Sequence, residues 1–315
     1  EGMQRKDGID TFGAVSLIGF SALLGFNQVL VKVVNEGLQP VFFAGLRSAG
    51  AVLCIWLWLR LRRRRLALPR HTWGWGLLIG LAFAAEFAFL FVALDLTTVA
   101  RTAVIYYTMP VWLALGAHLL IPGARLTRRA VAGLGLAFAG VAAVILTRAP
   151  DAPAGAASLA GDLLALAAAL AWAAIALLAR GSPLREVDAE TQLFWQVAVS
   201  APLLIGIAPL FGDLIRAPTL ATWAGLSFQI VVVVTAGFIF WLWLLSIYPP
   251  ASVAAFSFLS PVFGVAFGWA LLGEPLSSAL LVGFAAILAG LWLVSRPAPG
   301  AATPPRGEPA PRRPR

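Results

Sequence analysis

The sequence predicts an all-α integral membrane protein with ten transmembrane helices, arranged as two inverted five-helix repeats. Three observations carry this expectation. The chain is 60% hydrophobic and 12% charged, with a mean hydropathy of +0.88, and a soluble domain could not cover that much apolar side chain with so little polar surface. Its apolar residues gather into ten runs of about 20, the length that crosses a hydrocarbon core of about 30 Å. The stretch 87–120 also occurs twice: moved forward by 151 positions (261 − 110), Ala100 falls on Ala251, Ala103 on Ala254 and Pro110 on Pro261.

The first run, Thr11 to Val34, places Ser21, Gly25, Gln28 and Lys32 on one helical stripe. Such a stripe, with an amide and an amine, faces a cavity. The second, Pro40 to Arg60, carries Arg47, and the third, Trp73 to Leu94, carries Glu86, an acid deep inside a span. A break at 95–99 leads to the fourth run, Thr98 to Ile121, which sets Thr98, Thr102 and Tyr106 at helical spacing ahead of Pro110. The fifth, Arg128 to Thr147, offers Gly133 and Gly140 as a packing face.

A linker of Pro, Ala and Gly, 148–161, separates the halves. The Ala-rich sixth run, Ser158 to Arg180, has Trp172 near its middle; the seventh is Ala189 to Leu210. The eighth, Thr219 to Ile247, contains the isolated Gln229 and Thr235. The ninth, Ala251 to Leu272, lines up Val253, Ser257, Ser260, Gly264 and Gly268 as a small-residue stripe for close packing, and the tenth, Ser277 to Ser295, repeats the glycines at Gly283 and Gly290. The expected units are 1–150, the first repeat, 151–297, the second, and 298–315, a Pro-rich basic tail expected to be disordered.

Five spans per repeat make the second copy enter from the opposite face, which inverts it about an axis in the membrane plane. Arg60, Arg62 to Arg65, Arg70, Arg125, Arg128, Arg129, Arg180, Arg185 and the tail arginines share the side of both termini. The positive-inside rule makes that side the cytoplasm, of a bacterial-type inner (plasma) membrane. Arginines clustered at the ends of apolar runs serve orientation in a bilayer, so the high isoelectric point does not indicate nucleic acid. Trp56, Trp58, Trp73, Trp75 and Trp223 fall where interfacial belts are expected.

The paired prolines, Ala93-Leu94 before the break, Leu-Leu-Gly-Glu-Pro-Leu at 271–276, the closing glycines, Gly25-Phe26-Asn27 with Lys32, and Leu46-Arg47 together resemble the EamA branch of the drug/metabolite transporter superfamily. Within it the chain looks most like amino-acid exporters of the YddG type. The likeness covers about 11–296 and implies a ten-helix secondary transporter of small metabolites. Gly273-Glu274 has no acidic counterpart in the first half, where Ile121-Pro122-Gly123 stands, so a symmetric role for Glu274 is not expected.

Chemistry narrows the reading further. Lys6 and Lys32 lack the Ser or Thr of a phosphate-binding loop, so ATP is not expected as a partner. His71 and His118 stand too far apart for a zinc pair, and no cofactor, metal or catalytic residue is expected. A passive channel would show a ring of repeated polar residues; that class, a membrane scaffold and a broad drug or organic-ion transporter are the alternatives. The expected substrate-binding set is Asn27, Gln28, Lys32, Glu86, Thr102, Tyr106, Trp172, Gln229 and Ser257, with Pro110 and Pro261 as gating hinges. Such a lining suits a small solute with an apolar side chain and a zwitterionic end, such as a neutral or aromatic amino acid.

Depth gives Glu86 a partner. It lies eight residues below the end of the third run, about 12 Å, and Arg47 seven below the start of the second, about 10 Å. A lone carboxylate there is costly, so an ion pair of Glu86 with Arg47 is expected, with Lys32 as the second candidate.

Overall fold

The first helix begins where Asp10 caps it, accepting the Gly13 N–H at 2.8 Å, and the chain continues as α-helix to Gly37. The computed structural model describes residues 10–63, 66, 68–121, 126–147, 158–248 and 258–295. Among these residues there is no strand, only an isolated bridge between Leu38 and Ile215. In order the helices are α1 (Thr11–Gly37), α2 (Pro40–Leu61), α3 (Trp73–Leu96), α4 (Val99–Tyr106), α5 (Met109–Leu120), α6 (Arg128–Leu146), α7 (Leu159–Gly181) and α8 (Ala189–Ile207). There follow α9 (Leu220–Phe228), a π-helical segment (Gln229–Ala236), α10 (Gly237–Ile247), α11 (Leu259–Leu272) and α12 (Ser278–Ser295). Nine spans are long and apolar enough to cross a membrane and α11 supplies a shorter tenth among the described residues, so the chain is a two-repeat, ten-span membrane protein.

Two spans expected as single helices are interrupted. Span 4 is α4 and α5, broken at Tyr107 and Thr108, because Pro110 in the first turn of α5 has no N–H with which to continue the ladder of α4. Thr108 repairs the gap: its hydroxyl donates to the Ile105 carbonyl at 2.5 Å and accepts the Trp112 indole N–H at 3.0 Å. Pro261 likewise sits in the first turn of α11, the place that Pro110 holds in α5. Span 8 holds the π-helical segment, in which the Thr235 hydroxyl bonds the Ile230 carbonyl five residues back at 2.8 Å. Neither Gln229 nor Thr235 foretold it.

The halves meet across glycine. A Cβ on Gly133 would stand 2.6 Å from the Gly290 oxygen, and one on Gly140 2.6 Å from the Gly283 oxygen, so α6 and α12 touch backbone to backbone. Since Gly133 corresponds to Gly283 and Gly140 to Gly290, the two contacts exchange under the repeat, as an isologous two-fold contact must. The small stripe of α11 also packs closely: Gly264 faces Ala103 of α4, and Gly25 of α1 meets Phe263 and Gly264. Val253 of that stripe, Ser257, most of the linker and the basic tail lie outside the described residues.

Candidate functional site

The break in span 4 ends α4 on Tyr106 and turns its side chain toward α3 and α7. Its hydroxyl donates to Glu86 Oε1 at 2.5 Å. Its ring stacks on Trp172, with centroids 4.9 Å apart and planes 19° apart. Tyr107 stands edge-on to both rings. Three of the expected site residues, Glu86, Tyr106 and Trp172, therefore come together beside the helix break, with both repeats contributing.

The expected ion pair is corrected. Arg47 does reach the level of Glu86, but its guanidinium lies over the Phe87 ring, 3.7 Å from the centroid, and 5.1 Å from that of Phe91. Among the described residues no salt bridge joins it to Glu86, whose carboxylate is taken by Tyr106. Lys32 is not the partner either; its Nζ donates to the Leu94 and Thr97 carbonyls, at 2.9 and 2.6 Å, where α3 ends. Free carbonyls at a helix C-terminus attract a cation, and they lie nearer than the carboxylate.

The other expected residues separate into two groups. Gln28 and Thr102 are buried, and among the described residues both polar atoms of Gln28 and the Thr102 hydroxyl have no hydrogen-bond partner. The Gln28 amide lies where α1, α4 and α11 meet, close to Gly264. Asn27 and Gln229 instead bond each other, the Gln229 amide donating to Asn27 Oδ1, and so tie α1 to the π-helical segment. Pro110 lines a cavity of about 290 Å³ with Ala114, Leu177 and Val294 at the end of the bundle where α1 begins.

Residues that the sequence reading missed close the opposite end. Glu274, in the turn after Gly273 (φ 65°), accepts the Val99 and Ala100 N–H groups at 2.6 and 2.9 Å, capping α4 from the other repeat. Burial pushes its carboxyl above the ordinary carboxylate value, against the pull of the Ala100 and Val99 N–H groups and the Lys32 charge. Arg101 forms a bidentate pair with Asp162, at 3.0 and 2.5 Å, and donates to the Val144 carbonyl at 2.5 Å, while the Thr97 hydroxyl donates to Asp162 at 3.1 Å. Arg216 clamps Asp95 at 2.8 and 2.9 Å and reaches the Asn35 carbonyl at 2.9 Å. An acid in the first turn of α7 was the available signal, since a helix N-terminus favours negative charge; for Glu274 spacing gave none. A pocket of about 320 Å³ opens here between Lys32, Glu36, Thr98 and Glu274.

Ten apolar spans in two repeats, with polar and aromatic side chains of both buried beside a broken helix, make a membrane transporter. The chain belongs to the EamA-like transporter family, whose model matches it twice, over residues 11–146 and 159–296. It is 30% identical to the "Probable amino-acid metabolite efflux pump" of Salmonella typhimurium, over 92% of this chain and 95% of that one. It is 27% identical to the protein of the same description from Escherichia coli, over 92% and 95%. It is 23% identical to the "Uncharacterized transporter YoaV" of Bacillus subtilis, over 89% and 95%. A solved crystal structure with 24% identity shares the fold, with a TM-score of 0.61 over 89% of this chain and 97% of that one.

Proposed function

We propose that this transporter exports neutral or aromatic amino acids by alternating access, across an inner (plasma) membrane with both termini cytoplasmic. The observation that carries the reading is the buried Glu86–Tyr106 hydrogen bond against the Tyr106–Trp172 stack. A carboxylate held in an apolar, aromatic wall supplies one charged contact for an ammonium group and flat surface for a side chain. The names of the Salmonella and Escherichia relatives agree with this class of solute. In this reading the two units, 1–150 and 151–297, rock against each other, and Pro110 and Pro261 are where their helices bend. The arginine asymmetry supports the orientation.

The test is transport by the purified full-length chain in liposomes. Labelled phenylalanine and leucine are expected to exchange across the bilayer, and nucleotides and sugar phosphates are not. Exchange of organic cations with no exchange of any amino acid would replace the reading with that of a broad drug transporter.

A further inference from the structure

Three cationic side chains other than Arg47 show what a structural cation looks like in this protein. Arg101 has both Asp162 oxygens and the Val144 carbonyl. Arg216 has both Asp95 oxygens and the Asn35 carbonyl. Lys32 has two carbonyls. Arg47 is different. It is 2% exposed, and among the described residues it enters no ion pair and no hydrogen bond; its Nε is enclosed without an acceptor.

The face of Phe87 covers it, with the Phe91 ring farther off. Stacking occupies the flat face of a guanidinium and leaves its N–H groups free along the edge. A buried charge left in this condition costs several kcal/mol, roughly, and the nearest carboxylate, Glu86, is already bonded to Tyr106. Glu86 directly precedes Phe87 in α3, the residue whose ring the guanidinium covers.

We propose that Arg47 is a binding residue for the carboxylate of the transported solute, with Glu86 facing the ammonium end. A planar carboxylate matches the guanidinium fork with two parallel hydrogen bonds. A phosphate is a poorer fit, because the second cation it needs, Lys32, is committed to the end of α3. The proposal deepens the reading of the central cluster as an amino-acid site and can fail separately from it.

Binding to the full-length protein in nanodiscs, followed by calorimetry, tests it with four probes: L-phenylalanine, L-phenylalaninamide, phenethylamine and 3-phenylpropionate. In the unsubstituted protein, loss of the carboxylate is expected to weaken binding about 10-fold or more, the worth of a charge-assisted hydrogen bond. In Arg47→Gln that discrimination is expected to vanish, with the acid and its amide bound within about 3-fold, and Arg47→Lys is expected to restore it only in part because an ammonium lacks the fork. If Arg47→Gln does not fold, the comparison of acid with amide on the unsubstituted protein decides alone. Equal binding of L-phenylalanine and its amide overturns the Arg47 site and leaves the amino-acid reading standing. Binding of 3-phenylpropionate that depends on Arg47, with none of L-phenylalanine, keeps the site and removes the amino-acid reading. Binding of neither carboxylate probe, or binding unchanged by Arg47→Gln, overturns the proposal.

Discussion

The repeat places Thr97 on Tyr248 and Arg101 on Ser252 (offset 151), so the turn after α3 and the turn after α10 are equivalent positions at opposite ends of the molecule. Each is tied to an acid at the start of its repeat's partner span. At one end Thr97 and Arg101 both hold Asp162, which is wholly buried. At the other, Tyr248 donates to Asp10 at 2.7 Å, and Asp10 is exposed. Glu274 and Arg216 add further ties at the first end. The second has the solvent-exposed pair of His71 and Glu186, 3.2 Å apart. Equivalent positions are thus closed by unequal means.

The interior shows the same lesson. Glu86 falls on Gly237 (86 + 151), so the position that carries a buried acid in span 3 carries, in span 8, the glycine at which the π-helical segment gives way to α-helix. Where backbones touch, at the paired glycines of α6 and α12, the halves match. Where chemistry is done they differ. Close packing leaves no freedom for a side chain, whereas a polar group in a bilayer needs one partner set and gains nothing from being duplicated.

The largest expected effect breaks the comparison of the two ends. Asp162→Asn leaves the Arg101 charge buried without its counter-ion and is expected to destabilise the fold by about 3–5 kcal/mol. Asp10→Asn keeps an oxygen that accepts from the Tyr248 hydroxyl and the Gly13 N–H at an exposed position, and is expected to cost about 1 kcal/mol or less. Thermal unfolding in detergent compares the two, and equal losses would contradict the unequal closure.

Next come the matched glycines. Gly140→Val and Gly290→Val each push a side chain into a facing carbonyl and are expected to cost about 1–3 kcal/mol apiece. Their unfolding temperatures should fall together, and a drop in only one would remove the two-fold character of that contact.

Glu86→Gln sharpens the interior comparison. Transport is expected to fall about 10-fold, whereas Gly237→Ala at the equivalent position should stay within about 3-fold of the parent. Liposome exchange measured from pH 5 to 8 reads both, and a Glu86→Gln variant as active as its parent throughout would end the functional role of the acid.

The smallest effect is a pH slope. The Glu274 carboxyl is held above its ordinary value of 4.5, so the folded state takes up a proton more readily than the unfolded chain. Stability from this group is full below that ordinary value and is lost as pH rises through the raised one. The unfolding temperature of the parent, relative to Glu274→Gln, is therefore expected to decline over that rise. A flat difference would show that the cap on α4 does not titrate.

What the sequence alone determined is the part of the protein set by local rules. Hydropathy and span length gave ten crossings, an odd number per repeat made the copies inverted, Pro110 and Pro261 fell at equivalent places, and Gly133, Gly140, Gly283 and Gly290 marked the packing face. Depth arithmetic even set Arg47 level with Glu86. Only the tertiary structure decided which groups touch: Tyr106 rather than Arg47 on the carboxylate, Lys32 on the end of α3, and Glu274 on the N-terminus of a helix more than 170 residues earlier. The reason is geometric. A residue's place in its own helix fixes its height and its face, but the rotation and separation of neighbouring helices come from packing against all the others, and a hydrogen bond a few ångströms long depends on both.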